Sequence, residues 1–350
     1  MKPSAVFSVN RARLLGVLAF GVAASASLQA AETPAHDLYI CLSMASDHTM
    51  GKRTERVSGL YISPDREELR HLGFNHPRQD TVAVDPRDPT VLFTVGLNGV
   101  LRSTDGGESW RIMTSWDMTE PKDLAIDPNR PDHLYIGLPD GVGVSTDGGQ
   151  HWERRDTGIR RKYTQTIAVD RTQAGRVLAG TELGLYLSED AGQNWKRVLA
   201  TTKTVTDVAQ SPHDPAHWIL STQAEGAWQS HDGGRSWQRF RALPGASTLH
   251  NIVFDPHDPQ RMALSGWELG VRLTEDGGQT WSDRTAGLPS PHVWRVTFDP
   301  DFPERLYAGP HEQAIHVSHD TGRTWEAKWL PGAIVWDFVF TPRPEARSAE

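Results

Sequence analysis

Charged, amide and aromatic residues recur at the start of a repeated strand pattern, where side chains of these types could bind a ligand. Strings such as KDLAIDP, HNIVFDP and WRVTFDP alternate polar and apolar residues, which is typical of half-buried β-strands. Aligning the strings places their first residues at one level, so we expect these residues to lie together. The candidates are Asp80, Lys122, Asp123, Tyr163, Asp207, His250, Asn251, Trp294, Arg295, Trp336 and Asp337.

These candidates define a funnel of mixed charge. Trp294 and Trp336 offer indole faces for stacking, and Asp207, His250 and Arg295 offer polar contacts to a ligand. The alternative interpretation is structural, because a channel mouth of this kind is filled with polar groups and water whether or not it binds anything. Carboxylates in such a ring are not by themselves acid/base pairs, and the sequence identifies no catalytic residue.

An eight-residue pattern of the form SxDxGxxW explains how the candidates are positioned. It occurs six times, once with Thr in place of the Ser, and its aspartates are 42 to 44 residues apart. These aspartates are Asp105, Asp147, Asp190, Asp232, Asp276 and Asp320. A period in this range is typical of the four-stranded blade of a β-propeller. Within the pattern the carboxylate can accept turn N–H groups and glycine supplies a positive φ, so we assign the aspartates a structural role.

We call each copy of the eight-residue pattern a box. The sequence between successive boxes predicts the order of strands in one blade, and we label these strands A, B, C and D. The alternating A strand ends in a Pro-containing turn, an apolar B strand follows, and the C strand leads into the box and a D strand. This order places the D–A loops and B–C turns on one face, the top face. The A–B turns and the boxes lie on the opposite, bottom face.

The two ends of the chain supply one more blade. Residues 335–342 have the pattern of an A strand with no B strand after it, and residues 37–43 that of a B strand with no A strand before it. Residues 60–72 contain a degenerate seventh box around Asp65. We therefore predict an all-β, seven-bladed β-propeller of four-stranded antiparallel blades over residues 32–342. The C-terminal strand joins the N-terminal blade and closes the ring, and 343–350 form a tail.

Residues 1–31 have the pattern of a secretory signal peptide. Basic residues precede a run of apolar and small residues, and cleavage is expected near Ala30 or Ala31. The alternative, an uncleaved membrane anchor, is disfavoured because the apolar run is short and contains Ser and Gln. The interpretation predicts a periplasmic or secreted protein with no membrane span after cleavage.

Charge and composition exclude several classes of partner. The formal net charge is −8, and loss of the three positive charges of residues 1–31 would make it −11, which argues against nucleic acid and anionic membrane surfaces. Cys41 is the only cysteine, so no intrachain disulfide can form. The 15 histidines show no ligand spacing, and phosphate and dinucleotide motifs are absent. We therefore predict a monomer without a metal or cofactor.

The boxes resemble those of the Asp-box, or BNR-repeat, superfamily, and the resemblance covers nearly all of the chain after residue 31. This superfamily includes sialidases, xyloglucan hydrolases with paired propellers, sortilin-type receptors and assembly factors of photosystem II. Because the boxes are structural in these families, the resemblance implies a fold rather than an activity. Size, leader and single propeller are most similar to the photosystem II assembly or stability factors. That similarity implies a non-enzymatic protein that binds a protein partner in an envelope complex.

Enzymatic interpretations receive less support from the residues. The sialidase mechanism, as the resemblance implies it, needs a Tyr nucleophile and three arginines, and only Tyr163 lies at the entrance of an A strand. The fold is therefore expected to be sialidase-like without the sialidase active site. A xyloglucan hydrolase, as the resemblance implies it, needs two carboxylates that flank a cleft between two propellers. This chain has room for one propeller. A carbohydrate-binding protein or glycoside hydrolase that uses the Trp-lined funnel remains the alternative.

Loops on the top face add further candidates. The B–C turns carry acidic residues, which could attract a basic partner surface or simply favour the turns. They are Asp140, Glu182, Glu225, Glu268 and Glu312. Residues 154–163 form a basic loop, and residues 44–56 form the longest B–C connection, which could cap the funnel. The alternative for both loops is a solvated surface segment that binds nothing.

Overall fold

Regular structure in the described part of this protein consists of β-strands. A computed structural model describes residues 34–44, 57–160, 163–243 and 247–344, and no helix occurs among them. The described part of the chain accordingly holds no helix long and apolar enough to cross a membrane. The predicted leader, most of the 44–56 connection, part of the basic loop and most of the tail lie outside the described residues.

The strands form six antiparallel sheets, of which five have four strands and one has seven. In chain order they are β1 (His36–Met44), β2 (Gly59–Ser63), β3 (Arg70–Leu72), β4 (Gln79–Val84), β5 (Leu92–Gly96), β6 (Gly99–Ser103), β7 (Arg111–Ile112), β8 (Asp123–Ile126), β9 (Leu134–Leu138), β10 (Gly141–Ser145), β11 (Glu153–Arg154), β12 (Thr164–Val169), β13 (Val177–Thr181), β14 (Gly184–Ser188), β15 (Lys196–Ala200), β16 (Val205–Gln210), β17 (Trp218–Thr222), β18 (Ala227–Ser230), β19 (Gln238–Arg239), β20 (Leu249–Phe254), β21 (Met262–Gly266), β22 (Gly270–Thr274), β23 (Ser282–Asp283), β24 (Val293–Phe298), β25 (Leu306–Pro310), β26 (Gln313–Ser318) and β27 (Glu326–Pro342). Sheets 1 to 5 contain β4–β7, β8–β11, β12–β15, β16–β19 and β20–β23.

The seven-stranded sheet joins the two ends of the described chain. Its order is β24-β25-β26-β27-β1-β2-β3. The first part of β27 pairs with β26, and its second part pairs with β1 from Ala333 opposite Met44 to Pro342 opposite His36. Buried side chains of β1 and β2, among them Cys41 and Leu60, pack in one cluster with Val82 of sheet 1. The N-terminal strands are therefore held between β27 and sheet 1.

The Asp boxes form tight hydrogen-bonded turns on the bottom face. In the first box, Ser103 Oγ donates to Asp105 at 2.7 Å, and the Asp105 carboxylate accepts the Ser109 N–H at 2.9 Å. The box also contacts the A–B turn of its own sheet, because the Gly106 N–H donates to the Thr90 carbonyl at 2.9 Å. Each box thus satisfies its own backbone groups and ties the C–D turn to the A–B turn.

One box glycine is required by packing as well as by backbone conformation. Gly278 has a φ of +88°, and a Cβ added there would overlap the ring of Phe240 on the neighbouring sheet. Phe240 belongs to a buried cluster with Leu249, Ile252 and Leu264, so the ring cannot move without disturbing the core between sheets 4 and 5. The box therefore lets two sheets approach closely at this point.

The degenerate box is secured by a buried arginine. Asp65 accepts the Glu67 N–H at 2.9 Å and the Glu68 N–H at 3.0 Å, whereas Asp105 accepts the N–H four residues on. Arg66 has a φ of 65° and is 1% exposed. Its guanidinium forms ion pairs with Asp299 at 2.9 Å and Asp301 at 2.8 Å, both in the β24–β25 connection. The ion pairs link the two halves of the seven-stranded sheet on the bottom face.

Candidate functional site

The first strands of the sheets meet around a central cavity of about 200 Å³. It is lined by residues of β4, β8, β12, β16, β20, β24 and β27, and by Lys122 just before β8. Seven of the eleven predicted funnel residues line it, namely Asp80, Lys122, Asp123, Asp207, Asn251, Arg295 and Asp337. The aligned strand starts therefore do converge, as the period of the sequence predicts.

The other four predicted residues do not line the cavity. Tyr163 donates a hydrogen bond to Gln165 at 2.8 Å beside the cavity entrance. His250, Trp294 and Trp336 lie in an aromatic cluster on the top face. The predicted funnel is thus divided into a charged cavity and a separate aromatic surface.

Asp123 bridges sheets 2 and 3. One carboxylate oxygen accepts the Thr166 hydroxyl at 2.9 Å and the Ile167 N–H at 2.8 Å, both on β12. The other oxygen accepts the N–H of Leu124, the next residue on β8, at 2.8 Å. Both oxygens are therefore occupied by donors of the protein itself.

Asp207 and Asn251 repeat this arrangement around the cavity. The Asp207 carboxylate accepts the Ile252 N–H of sheet 5 at 3.1 Å. The Asn251 amide donates to the Val296 carbonyl at 2.8 Å and accepts the Val296 N–H at 3.1 Å, which connects β20 to β24. Each side chain holds the first strand of the next sheet in register.

Asp337 completes the series between β27 and β4. It accepts the Thr81 hydroxyl at 2.6 Å, and Arg295 approaches its carboxylate to 3.9 Å. The Arg295 guanidinium is itself fixed by the carbonyls of Trp336 at 2.5 Å and His250 at 2.9 Å. The cation is therefore held against backbone dipoles and is not free to reach far out of the cavity.

Burial in the cavity changes the acidity of its carboxyl groups. Burial, together with the charge of Asp337, raises the pKa of Asp123 to about 7. Burial raises the pKa of Asp337 to about 6, and Arg295 opposes this rise. Burial also raises the pKa of Asp207 and Asp80. Among the described residues, no group of three or more His, Cys, Asp or Glu side chains could hold a metal ion.

The aromatic cluster contains three tryptophans and three histidines on the top face of sheet 5 and the seven-stranded sheet. Trp294 stacks on His250 with ring centroids 4.2 Å apart, and Trp267 stacks on His292 at 4.2 Å. The Trp294 indole N–H donates to His311 at 2.8 Å. The sequence alignment missed Trp267, His292 and His311 because they lie in loops rather than at strand starts.

Two glutamates border this cluster in unusual backbone conformations. Glu268 follows Trp267 with a φ of 58°, and Glu312 follows His311 with a φ of 54°. Both lie in B–C turns and both are exposed. Left-handed φ values favour glycine or asparagine, so a glutamate at each position costs stability. They are two of the five acidic turn residues predicted on this face.

A second apolar area lies at the top of sheet 1. Trp116 in the loop before β8 is 89% exposed, Leu97 in the β5–β6 turn is 39% exposed, and Phe74 in the loop before β4 is 43% exposed. The Leu97 carbonyl accepts the N–H of Glu120, so the turn and the loop lie side by side. Exposed apolar groups concentrated on one face are typical of interaction surfaces.

The four-stranded sheets, the boxes and the central cavity define a BNR-type β-propeller protein. Residues 72–334, well over half of the chain, match the family described as photosynthesis system II assembly factor YCF48. The chain therefore belongs to that family. A comparison with curated proteins finds no match.

Solved structures show the same fold at low identity. A structure of YCF48 bound to a D1 peptide is 18% identical with a TM-score of 0.55, over 71% of this chain and 81% of that chain. YCF48 from Cyanidioschyzon merolae is 18% identical with a TM-score of 0.54, over 73% and 86%. The GH74 xyloglucanase from Xanthomonas campestris is 20% identical with a TM-score of 0.63, over 78% and 51%. The chain thus spans only about half of that enzyme.

Proposed function

We propose that this protein is a non-enzymatic propeller that binds a protein partner through its top face and assists the assembly or stability of a complex. Membership of the YCF48 family supports a protein-binding role. A family relative has been solved with a D1 peptide bound, so a propeller of this kind can hold a segment of another protein. With residues 1–31 as an export signal, the complex would be in the periplasm or outside the cell.

The observation that carries the proposal is the concentration of apolar and aromatic groups on the top face. The cluster around Trp267 and Trp294 is half-buried rather than covered, and Trp116 is 89% exposed on the same face. Tryptophan is enriched in the residues that dominate protein–protein binding energy. The bottom face is instead occupied by boxes whose polar groups bond one another.

Carbohydrate binding or glycoside hydrolysis is the second candidate, and the likeness to a GH74 xyloglucanase supports it at the level of the fold. Two observations favour the protein-binding role. Asp123 and Asp207 already accept backbone N–H groups, so neither is free to act as nucleophile or acid/base. Arg78 lies over Trp336 at 4.3 Å, so a cation of the protein itself already occupies one of the two indoles predicted to stack on a sugar.

We further infer that the propeller has seven blades and that its ring is closed by the C-terminal strand. The seven-stranded sheet can be divided within β27. One blade would contain β24, β25, β26 and the first part of β27, and the other would contain the second part of β27 with β1, β2 and β3. Together with sheets 1 to 5 they would make seven four-stranded blades. The hydrogen bond from Thr81 to Asp337 and the cluster that joins Cys41 to Val82 support contact between the last blade and sheet 1.

Affinity capture from the native envelope fraction tests the proposed function. Wild-type protein should recover a stoichiometric partner, and Trp116→Ala and Trp267→Ala should each reduce recovery. Trp116 is exposed enough that its removal leaves the fold intact, and circular dichroism melting verifies this for both variants. His319→Ala, on an exposed bottom-face box, is the control that retains capture.

A different result would favour the second candidate. If capture recovers nothing, and a glycan panel shows binding or hydrolysis that Trp294→Ala abolishes, the protein acts on carbohydrate instead. Recovery of the same partner by all top-face variants would exclude the top face as the binding surface.

A further inference from the structure

We propose that the surface formed by Trp267, Glu268, Trp294, His311 and Glu312 binds a basic peptide segment of the partner, with an Arg or Lys side chain held between indole and carboxylate. We call these five residues the acidic aromatic surface. The inference rests on the proposed function and specifies the chemistry of the partner. It assigns a role to turn residues that the cavity does not use.

The five residues belong to one connected group, in which His292 links Glu268 to Trp267. The Glu268 N–H donates to the His292 ring at 3.2 Å, and His292 stacks on Trp267. Trp267 and Trp294 lie edge to face with centroids 6.1 Å apart. Glu312 lies 3.7 Å from the His311 ring, and His311 accepts the Trp294 indole N–H. Glu268 and Glu312 therefore lie in the two turns whose preceding residues, Trp267 and His311, contact Trp294.

The charge of this surface is negative because the neighbouring cations are already engaged. Arg295 lies 3.9 Å from the Asp337 carboxylate, and Arg78 forms an ion pair with Asp80 at 2.6 Å. His250 adds no charge near neutrality, since burial, Arg295 and His311 lower its pKa to about 4. Within the described residues, the Glu268 carboxylate forms no ion pair. A partner cation would supply the missing charge and would also gain from the indole faces.

The backbone conformation of Glu268 and Glu312 allows a binding role to be measured separately from a role in the turn. Glycine or asparagine would fit a φ of 58° or 54° better than glutamate does. Glu304 has a φ of 68° and is also exposed, but it lies in an A–B turn on the bottom face. It therefore offers a matched control with the same strain and no contact with the surface.

The test uses a labelled octapeptide of alternating Arg and Gly with blocked ends, and fluorescence anisotropy as the readout. Matched peptides carry citrulline or Glu in place of Arg. We expect the Arg peptide to bind wild-type protein, and the citrulline peptide to bind at least about fivefold more weakly. The double variant Glu268→Asn, Glu312→Asn should weaken binding of the Arg peptide about tenfold.

Thermal melting separates a binding role from a structural one. The double variant should melt about 1–3 °C higher than wild type, because asparagine tolerates the left-handed conformation. Glu304→Asn should raise the melting temperature in the same way and leave peptide binding unchanged. A loss of binding together with a gain in stability is not expected for residues that only shape turns.

Two results would overturn the proposal: equal binding of the Arg and citrulline peptides, or unchanged binding by the double variant. Partner capture with the same double variant distinguishes failure of the basic-peptide proposal from failure of the proposed protein-binding function. If the peptide results fail while capture still succeeds, the partner binds elsewhere on the top face. If the peptide results hold while capture recovers nothing, the surface prefers cations but the assembly role is wrong.

Discussion

The carboxylate of Asp123 accepts the backbone N–H of Ile167 from the neighbouring sheet at 2.8 Å. Asp207 makes the equivalent bond to Ile252, and Asn251 makes it to Val296. Strand starts that look like ligand-binding residues therefore join adjacent first strands around the cavity. Their polarity is explained by backbone groups that would otherwise be buried without partners.

Replacing Asp123 should consequently affect folding more than binding. Asp123→Ala leaves the Ile167 and Leu124 N–H groups without acceptors and should lower the free energy of unfolding by about 1–3 kcal/mol. Asp123→Asn keeps one acceptor oxygen and should cost less. Urea unfolding at pH 7 measures both. Unchanged stability of Asp123→Ala, combined with lost partner capture, would instead identify Asp123 as a ligand contact.

Two sets of carboxylates predict opposite effects of pH on stability. Burial raises the pKa of Asp123 to about 7 and of Asp337 to about 6, above their unfolded values. The stability that Asp123 and Asp337 contribute is fully present below about pH 4 and is lost as the pH rises through 6 and 7. Hydrogen bonds from Ser109 lower the pKa of Asp105 to about 2, and those from Thr280 lower that of Asp276 to about 2. The stability that Asp105 and Asp276 contribute is present above about pH 4 and is lost as the pH falls toward 2.

Urea unfolding from pH 2.5 to 8 tests this balance. We expect the free energy of unfolding to be greatest near about pH 4–5, where both sets contribute most. The double variant Asp123→Asn, Asp337→Asn should flatten the decline on the alkaline side, and Asp105→Asn should reduce the decline on the acidic side. A double variant that retains the full alkaline decline would show that other groups cause it.

The sequence predicts the fold further than it predicts the site. The spacing of Asp105, Asp147 and the later box aspartates indicates the BNR-type repeat, which the family match confirms. Strand alternation likewise brings Asp123 and Asp337 to one cavity. Strand alternation does not show that these side chains bond the next strand. Such bonds depend on how far the first strands of adjacent sheets, about 43 residues apart in sequence, are shifted along each other. Trp267 was missed because turn residues follow no strand period.

Two box glycines should respond differently to the same substitution. Gly106 has a φ of +70° with open space at its Cβ position, so Gly106→Ala should cost only the backbone strain of about 1–2 kcal/mol. Gly278→Ala adds a clash with Phe240 and should cost about 1–3 kcal/mol more. Chemical denaturation of both variants measures the difference. Equal losses would mean that the sheets can move apart at Phe240 without penalty.

Removing the second part of β27 should destabilise the whole described fold. A chain that ends at residue 334 removes most of the pairing between β1 and β27 and removes Phe338 from a buried cluster. It also removes Asp337, which accepts the Thr81 hydroxyl. We expect the melting temperature to fall by more than about 10 °C, or cooperative unfolding to be lost.

A chain that ends at residue 344 is the matched control. It keeps every pairing of β27 and the ion pair between Arg343 and Asp37 at 2.9 Å, so its melting should equal that of wild type. Circular dichroism melting of both truncations gives the comparison. If the chain that ends at 334 melts like wild type, the C-terminal strand does not close the ring and the N-terminal strands are held by sheet 1 alone.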